Sequence, residues 1–171
     1  MKLNKKALFK ILMITGCFLA CFKSIVAASS ASYLVASEAA SSYDYEIALE
    51  NYLNIIEKKT ANEKIYQESL LYAVITNQLS LAKELAEALD SSQVVAPTAG
   101  LFLFADAIHL NKFDKAQRVL LKYRASFPNI LTTLLTGWTS FLNGDTSSGK
   151  NNFSSLGDEK VISAIGSYHL A

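Results

Sequence analysis

The chain has 171 residues, of which 51% are hydrophobic and 18% are charged, and it contains only two prolines. This composition excludes a disordered chain and favours one helical domain preceded by an export segment. Residues 1–28 hold five lysines and no acidic residue, so residues 29–171 hold 16 − 5 = 11 basic and 15 acidic residues and carry a charge of −4. A mildly acidic body gives no electrostatic reason to bind nucleic acid.

Residues 1–28 have the three-part order of a secretory signal peptide. Four lysines come first, a mostly apolar run extends from Ile11 to Phe22, and Val26-Ala27-Ala28 supplies the small residues of a cleavage site. We therefore expect a mature chain that starts near Ser29 and is exported to the periplasm. Anchoring of the uncleaved segment in the membrane is the alternative, although the apolar run is shorter than the about 20 residues of a spanning helix.

Both cysteines, Cys17 and Cys21, lie in this segment. Residues 14–17 are similar to a lipoprotein cleavage box, which would place a lipid on Cys17, but the apolar run continues past Cys17 instead of turning polar. If the segment is removed, the mature chain has no thiol, no disulfide and no cysteine metal ligand.

Three hexapeptides of one form recur at a constant spacing. They are Tyr43–Ala48, Asn77–Ala82 and Asn111–Ala116, and each begins with a turn-compatible residue and ends on alanine. A degenerate copy, Gly144–Gly149, follows the third at nearly the same distance. A fixed period of about 34 residues is typical of tandem helix-turn-helix repeats. The sequence therefore predicts helix pairs, each joined by one of these turns.

Helical spacing of apolar residues defines the members of each pair. The predicted pairs are 29–43 with 45–59, 63–76 with 79–89, 99–110 with 113–124, and 130–143 with 146–156, and a helix over 159–171 begins a fifth pair. Leu101–Ala105 is apolar all round, so we expect the third pair at the centre of the core. Pro128 is expected to stop the second helix of that pair.

These residues resemble the tetratricopeptide repeat. The positions that match its motif are Asp44, Tyr45, Ala48, Tyr52, Tyr66, Ala82, Ala116, Pro128, Gly137, Gly144, Asp145 and Phe153. The resemblance covers residues 29–171 and implies an all-α fold, a right-handed α-α superhelix of about four helix-turn-helix pairs. The layout of the chain also resembles exported alphaproteobacterial repeat proteins, which are usually much longer. That this chain is a truncated relative of them is therefore an open alternative.

The chain departs from the motif at two positions of the pair. Ala36, Leu70 and Phe104 occupy the usual glycine position of the first helix, and the two larger residues are expected to splay their pairs. Ala86 and Leu120 stand where the second aromatic residue is expected.

Sequence motifs for catalysis, phosphate binding or metal binding are weak in this chain. Gly144–Lys150 has the spacing of a phosphate-binding loop, but Asn151 follows where serine or threonine is needed and a helix precedes it. His109 and His169 are the only histidines, and neither has a second histidine or cysteine at ligand spacing. We therefore expect no enzyme activity, no cofactor, no metal and no small-molecule substrate.

The resemblance implies a protein or peptide partner, held by the groove that the first helices of the pairs line. The implied partner-binding residues are Leu101, Ile108, His109, Leu134, Trp138 and Phe141, and Ala105 and Leu142 face the same way. Trp138 is the only tryptophan, a residue enriched among binding hot spots. The alternative is that these residues pack against neighbouring repeats; Trp138 in particular lies where the first helix of the fifth pair is expected to bury its face.

Two functional hypotheses follow. The first is a non-catalytic interaction scaffold in the periplasm. The second is an accessory or truncated subunit that completes its core on a larger envelope assembly, with the membrane involved only through the N-terminal segment.

Overall fold

The computed structural model describes residues 29–92, 96–156 and 167–169, and this part of the chain contains helices and no strand. The predicted signal peptide in residues 1–28 and most of the predicted helix over 159–171 lie outside the described residues. No helix within the described ranges is long and apolar enough to cross a membrane. The chain forms two compact units that meet in sequence between Thr76 and Asn77.

The first unit contains α1 (residues 29–41), α2 (Tyr45–Glu57) and α3 (Glu63–Ile75). Helices α2 and α3 pack against each other. Each begins with a side-chain cap: Asp44 accepts a hydrogen bond from the Ile47 amide at 3.4 Å, and Asn62 accepts one from the Ile65 amide at 3.1 Å. Such caps satisfy amides that have no partner inside the helix.

A ladder of tyrosine rings joins the three helices of this unit. The Tyr33 ring of α1 lies 6.1 Å from that of Tyr52 in α2, and Tyr52 stacks at 6.0 Å on Tyr72 in α3. The Tyr72 hydroxyl donates to Glu68 Oε2 at 2.6 Å. Burial, together with this bond and the charge of Glu68, raises the pKa of Tyr72 well above its ordinary value, so the phenol stays a hydrogen-bond donor.

The second unit contains α4 (Leu79–Ser91), α5 (Pro97–His109), α6 (Phe113–Tyr123), a 3₁₀ turn (Arg124–Ser126), α7 (Asn129–Leu142) and α8 (Thr146–Ser154), and residues 167–169 are also helical. Each of α4 to α7 packs on the helix that follows it. One core cluster comprises Phe104, Ala107, Ala116, Leu120, Tyr123 and Phe127. All but the last come from α5 and α6, and a position of the third pair at the centre of the whole core stays a prediction.

Both prolines lie at the start of a helix, which differs from the prediction for each of them. Helix α5 begins at Pro97 rather than at residue 99, because proline has the backbone angle of a first helical turn and lacks only an amide that has no partner there. The expectation that Pro128 stops α6 is wrong. Helix α6 ends at Tyr123, the turn Arg124–Ser126 follows, and Pro128 is the N-cap of α7.

The four predicted turns share one backbone conformation. Tyr43, Asn77, Asn111 and Gly144 have φ angles of 62°, 59°, 56° and 84°, in the left-handed region that ends helices. In the third turn the Asn111 amide donates to the Ile108 carbonyl at 2.9 Å and the Lys112 amide to the Ala107 carbonyl at 2.8 Å, and the first and fourth turns have the equivalent pairs. The recurrence that the sequence predicts is therefore present in the backbone.

Glycines admit aromatic rings between helices of the second unit. Phe104 is buried in the same core cluster as Leu120, and one turn earlier a Cβ on Gly100 would be 2.5 Å from Tyr123 Cγ. The splaying of α5 from α6 by Phe104 stays a prediction. In the next pair, α7 and α8, a Cβ added to Gly137 would be 2.5 Å from Phe153 Cε1. The expected effect of Leu70 concerns the pairing of α3 with α4, and that pairing stays a prediction.

Candidate partner-binding face of the second unit

The six predicted partner-binding residues lie on two helices. Leu101, Ile108 and His109 belong to α5, and Leu134, Trp138 and Phe141 belong to α7. His109 is exposed, Leu101 and Trp138 are 39% and 43% exposed, and the other three are partly buried. Ile108 packs against the core cluster and so serves the fold. The structure brings Trp138 and Phe141 together, and a groove shared by α5 and α7 stays a prediction.

Trp138 belongs to a cluster of four rings, Trp138, Phe141, Phe153 and His169, which we call the Trp138 cluster. The Phe141 ring stacks on Phe153 at 5.7 Å between centroids, and Trp138 meets Phe153 edge-on at 5.4 Å. Phe153 is only 1% exposed and rests on Gly137. The lack of a side chain at Gly137 is therefore what admits the Phe153 ring between α7 and α8.

His169 completes this cluster. Trp138 Nε1 donates a hydrogen bond to His169 Nδ1 at 3.2 Å, and the imidazole stacks on Phe153 at 5.5 Å. Because Nδ1 accepts this hydrogen bond, the imidazole carries no proton on Nδ1. His169, in the helical residues 167–169, thus contacts Trp138, where the fifth pair was expected to bury its face.

The Trp138 cluster is closed on one side and open on the other. Its indole N–H has an acceptor and its ring has three aromatic neighbours, yet 43% of the residue remains exposed. Leu142, one turn further along α7, is 52% exposed. A rigid aromatic ring beside an exposed aliphatic side chain is the kind of surface from which binding hot spots are made.

The sequence reasoning missed two members of this cluster. Phe153 was identified only as the motif aromatic of its helix, although that match could have placed it against Gly137. His169 was considered as a metal ligand and set aside, and nothing in its surroundings in the sequence signals a bond to a residue 31 positions earlier.

The glycines of the phosphate-loop-like stretch have roles in the repeat. Gly144 is the left-handed residue of its turn, and Asp145 caps α8 by accepting from the Ser148 amide at 3.0 Å. A Cβ on Gly149 would collide with the Phe141 ring. This stretch therefore holds α8 against α7. Among the residues that the structure describes, no group of histidine, cysteine or acidic side chains is arranged to hold a metal ion.

A polar network connects α4 to α6. Lys122 Nζ lies 2.5 Å from Asp90 Oδ1, and the Tyr123 hydroxyl donates to the same oxygen at 2.8 Å. Burial by itself would raise the pKa of Asp90, but the hydrogen bonds from Lys122 and Tyr123 outweigh it, so this pKa lies below its ordinary value. The carboxylate is thus favoured in the folded protein.

We expect the network to make stability fall in acid. A carboxyl whose pKa is lowered by folding stabilises the protein above its ordinary pKa of about 4 and loses this effect as pH falls through the folded value. Asp90→Asn should cost about 1 kcal/mol at pH 7, since the carboxylate is about one-third exposed. Urea unfolding at pH 7 and pH 3 should show a smaller acid loss in Asp90→Asn than in the parent. The exposed Glu87→Gln is the control, and an acid loss that Asp90→Asn leaves unchanged would contradict the assignment.

The chain matches no protein-family model, no curated protein and no solved structure. A functional assignment therefore has to come from the residues and the geometry of the chain itself.

Proposed function

We propose that the chain is a non-catalytic scaffold of tetratricopeptide-like repeats, stacked as a right-handed superhelix, that binds a protein or peptide partner. Four turns at nearly constant spacing, each with a residue of positive φ, support the repeat. The packing of each of α4 to α7 on its successor is what such a stack requires. The order of residues 1–28 supports export to the periplasm, with membrane anchoring or a lipid on Cys17 as the alternatives.

The observation that carries this proposal is the half-exposed Trp138. Binding costs less when a contact residue is already held in its bound conformation, because less rotational freedom is lost. The rings of Phe141, Phe153 and His169 hold the indole in this way. The exposed part of Trp138 and the side chain of Leu142 then present apolar area to a partner helix or strand.

A second candidate is the accessory subunit that completes its core on a larger assembly. Its support is apolar exposure away from α7: Leu34 on α1 and Leu121 on α6 are 68% and 69% exposed. An assembly contact through Leu121 would use the surface formed by α6, whereas the scaffold hypothesis uses α7.

Site-specific photo-crosslinking in cells tests the proposal and separates the two candidates. A photoreactive residue at Leu142 is expected to give a discrete adduct, and Trp138→Ala should weaken the underlying affinity about 30-fold, the equivalent of a hot spot of about 2 kcal/mol. Circular dichroism measures whether Trp138→Ala keeps the helix content of the parent, and so separates a loss of binding from a loss of folding.

The same photoreactive residue at Leu121 tests the second candidate, and at the exposed Arg118 of α6 it serves as the control. An adduct at Leu121 and none at Leu142 would favour the accessory subunit. Adducts at Leu142 that do not depend on Trp138 would contradict the proposed role of the Trp138 cluster.

A further inference from the structure

The Trp138 cluster already has an occupant from the same chain. An indole N–H needs an acceptor when its ring is partly buried. His169 Nδ1 supplies that acceptor, and the same imidazole stacks on Phe153 and meets Trp138 edge-on at 5.4 Å. One imidazole therefore satisfies both the polar and the aromatic requirements of the surface.

Among the residues that the structure describes, this contact depends on few groups. Tyr168 is 78% exposed and touches the imidazole edge-on at 5.3 Å, so among residues 167–169 it is His169 that reaches the cluster. One hydrogen bond and the ring contacts of one side chain are a modest attachment. A competitor that offers similar groups can exchange with it.

We propose that His169 is an in-cis ligand of the Trp138 cluster and that the partner of the α7 face binds by displacing it. The displacement step rests on the proposed function. The partner segment that fits carries an aromatic or imidazole ring together with a hydrogen-bond acceptor, because these are the groups that His169 now supplies. His169 thereby sets a threshold for partner binding.

The occupied state can be tested on the full chain, because Trp138 is the only tryptophan and its fluorescence reports this surface alone. His169→Ala should at least double the acrylamide quenching of Trp138 and shift its emission to the red. His169→Phe keeps a ring but loses the acceptor and should fall between parent and His169→Ala. His109→Ala changes the only other histidine, which is exposed on α5, and should leave the fluorescence as in the parent.

A peptide comprising residues 157–171 supplies the segment in trans. Added to the full-length His169→Ala variant, it should restore the parent quenching in a saturable way, and the same peptide with His169→Ala should not. Equal quenching of the parent and of both alanine variants, or equal effects of the two peptides, would overturn the in-cis contact.

Displacement is measured separately from occupancy. The adduct formed by a photoreactive residue at Leu142 should increase at least threefold in His169→Ala, since the competitor is gone, and should not change in His109→Ala. If the fluorescence changes as expected but no adduct forms at Leu142, the in-cis contact is supported and the proposed function is overturned. Adduct formation that His169→Ala leaves unchanged or lowers would overturn the displacement.

Discussion

Replacing Phe153 by alanine is expected to destabilise the protein by about 3–5 kcal/mol, the usual cost of removing a buried phenylalanine. Phe153 is 1% exposed, and its ring contacts those of Phe141, Trp138 and His169 while it fills the space left by Gly137. The ring lies between two packed helices, so the site has little freedom to collapse around the cavity. Urea unfolding followed by circular dichroism measures the loss, and Tyr168→Ala, at an exposed ring, is the control with little expected effect.

A double-mutant cycle tests why the ring fits. Gly137→Ala alone should be destabilising, because the new Cβ would lie 2.5 Å from Phe153 Cε1. In a Phe153→Leu background the same change should cost clearly less, since the third pair already combines a larger residue, Phe104, with a leucine, Leu120. Additive effects would mean that Gly137 and Phe153 do not depend on each other.

Ala116→Leu is expected to destabilise the protein by about 1–3 kcal/mol through overpacking. Ala116 is fully buried in the core cluster with Leu120 and Ala107, so a larger side chain has to displace its neighbours. Lys112→Leu, four residues earlier and exposed at the N-cap of α6, should change the free energy of unfolding by less than about 0.5 kcal/mol. The contrast follows from the repeat register, which places one residue on the turn and the other where helices meet.

The turns were predictable because their information is local. Asparagine and glycine tolerate a positive φ, and Asn77, Asn111 and Gly144 all adopt one. Tyr43 is not a residue type that favours this conformation, and only the regular period of the hexapeptides indicated it. Burial of Ala48, Ala82 and Ala116 followed from the same register.

Contacts between side chains of different pairs were not predictable in the same way. The bond of Tyr123 to Asp90 and that of Trp138 to His169 join residues 33 and 31 positions apart, and each depends on the angle at which one pair meets the next. The sequence showed that Phe104 occupies the usual glycine position of the repeat, but it did not indicate the contact at Gly100. There, one turn earlier, the lack of a side chain permits contact with the Tyr123 ring.

The partner-binding role of the candidate residues stays a prediction, and the structure adds their exposure. Leu101, His109 and Trp138 are exposed, whereas Ile108 packs against the core cluster. Sequence reasoning left Trp138 open between core packing and partner binding. The structure gives it both features, since the indole is held by three rings and remains nearly half exposed.

The repeat is tested most directly by one substitution made at three equivalent positions. Ala48→Leu, Ala82→Leu and Ala116→Leu change fully buried alanines that are evenly spaced along the chain. Glu46→Leu, Ser80→Leu and Asp114→Leu make the same change at exposed positions two residues earlier. Urea unfolding should show a loss of about 1–3 kcal/mol for each alanine and less than about 1 kcal/mol for each control. An alanine that accepts leucine as readily as its control would contradict the repeat register.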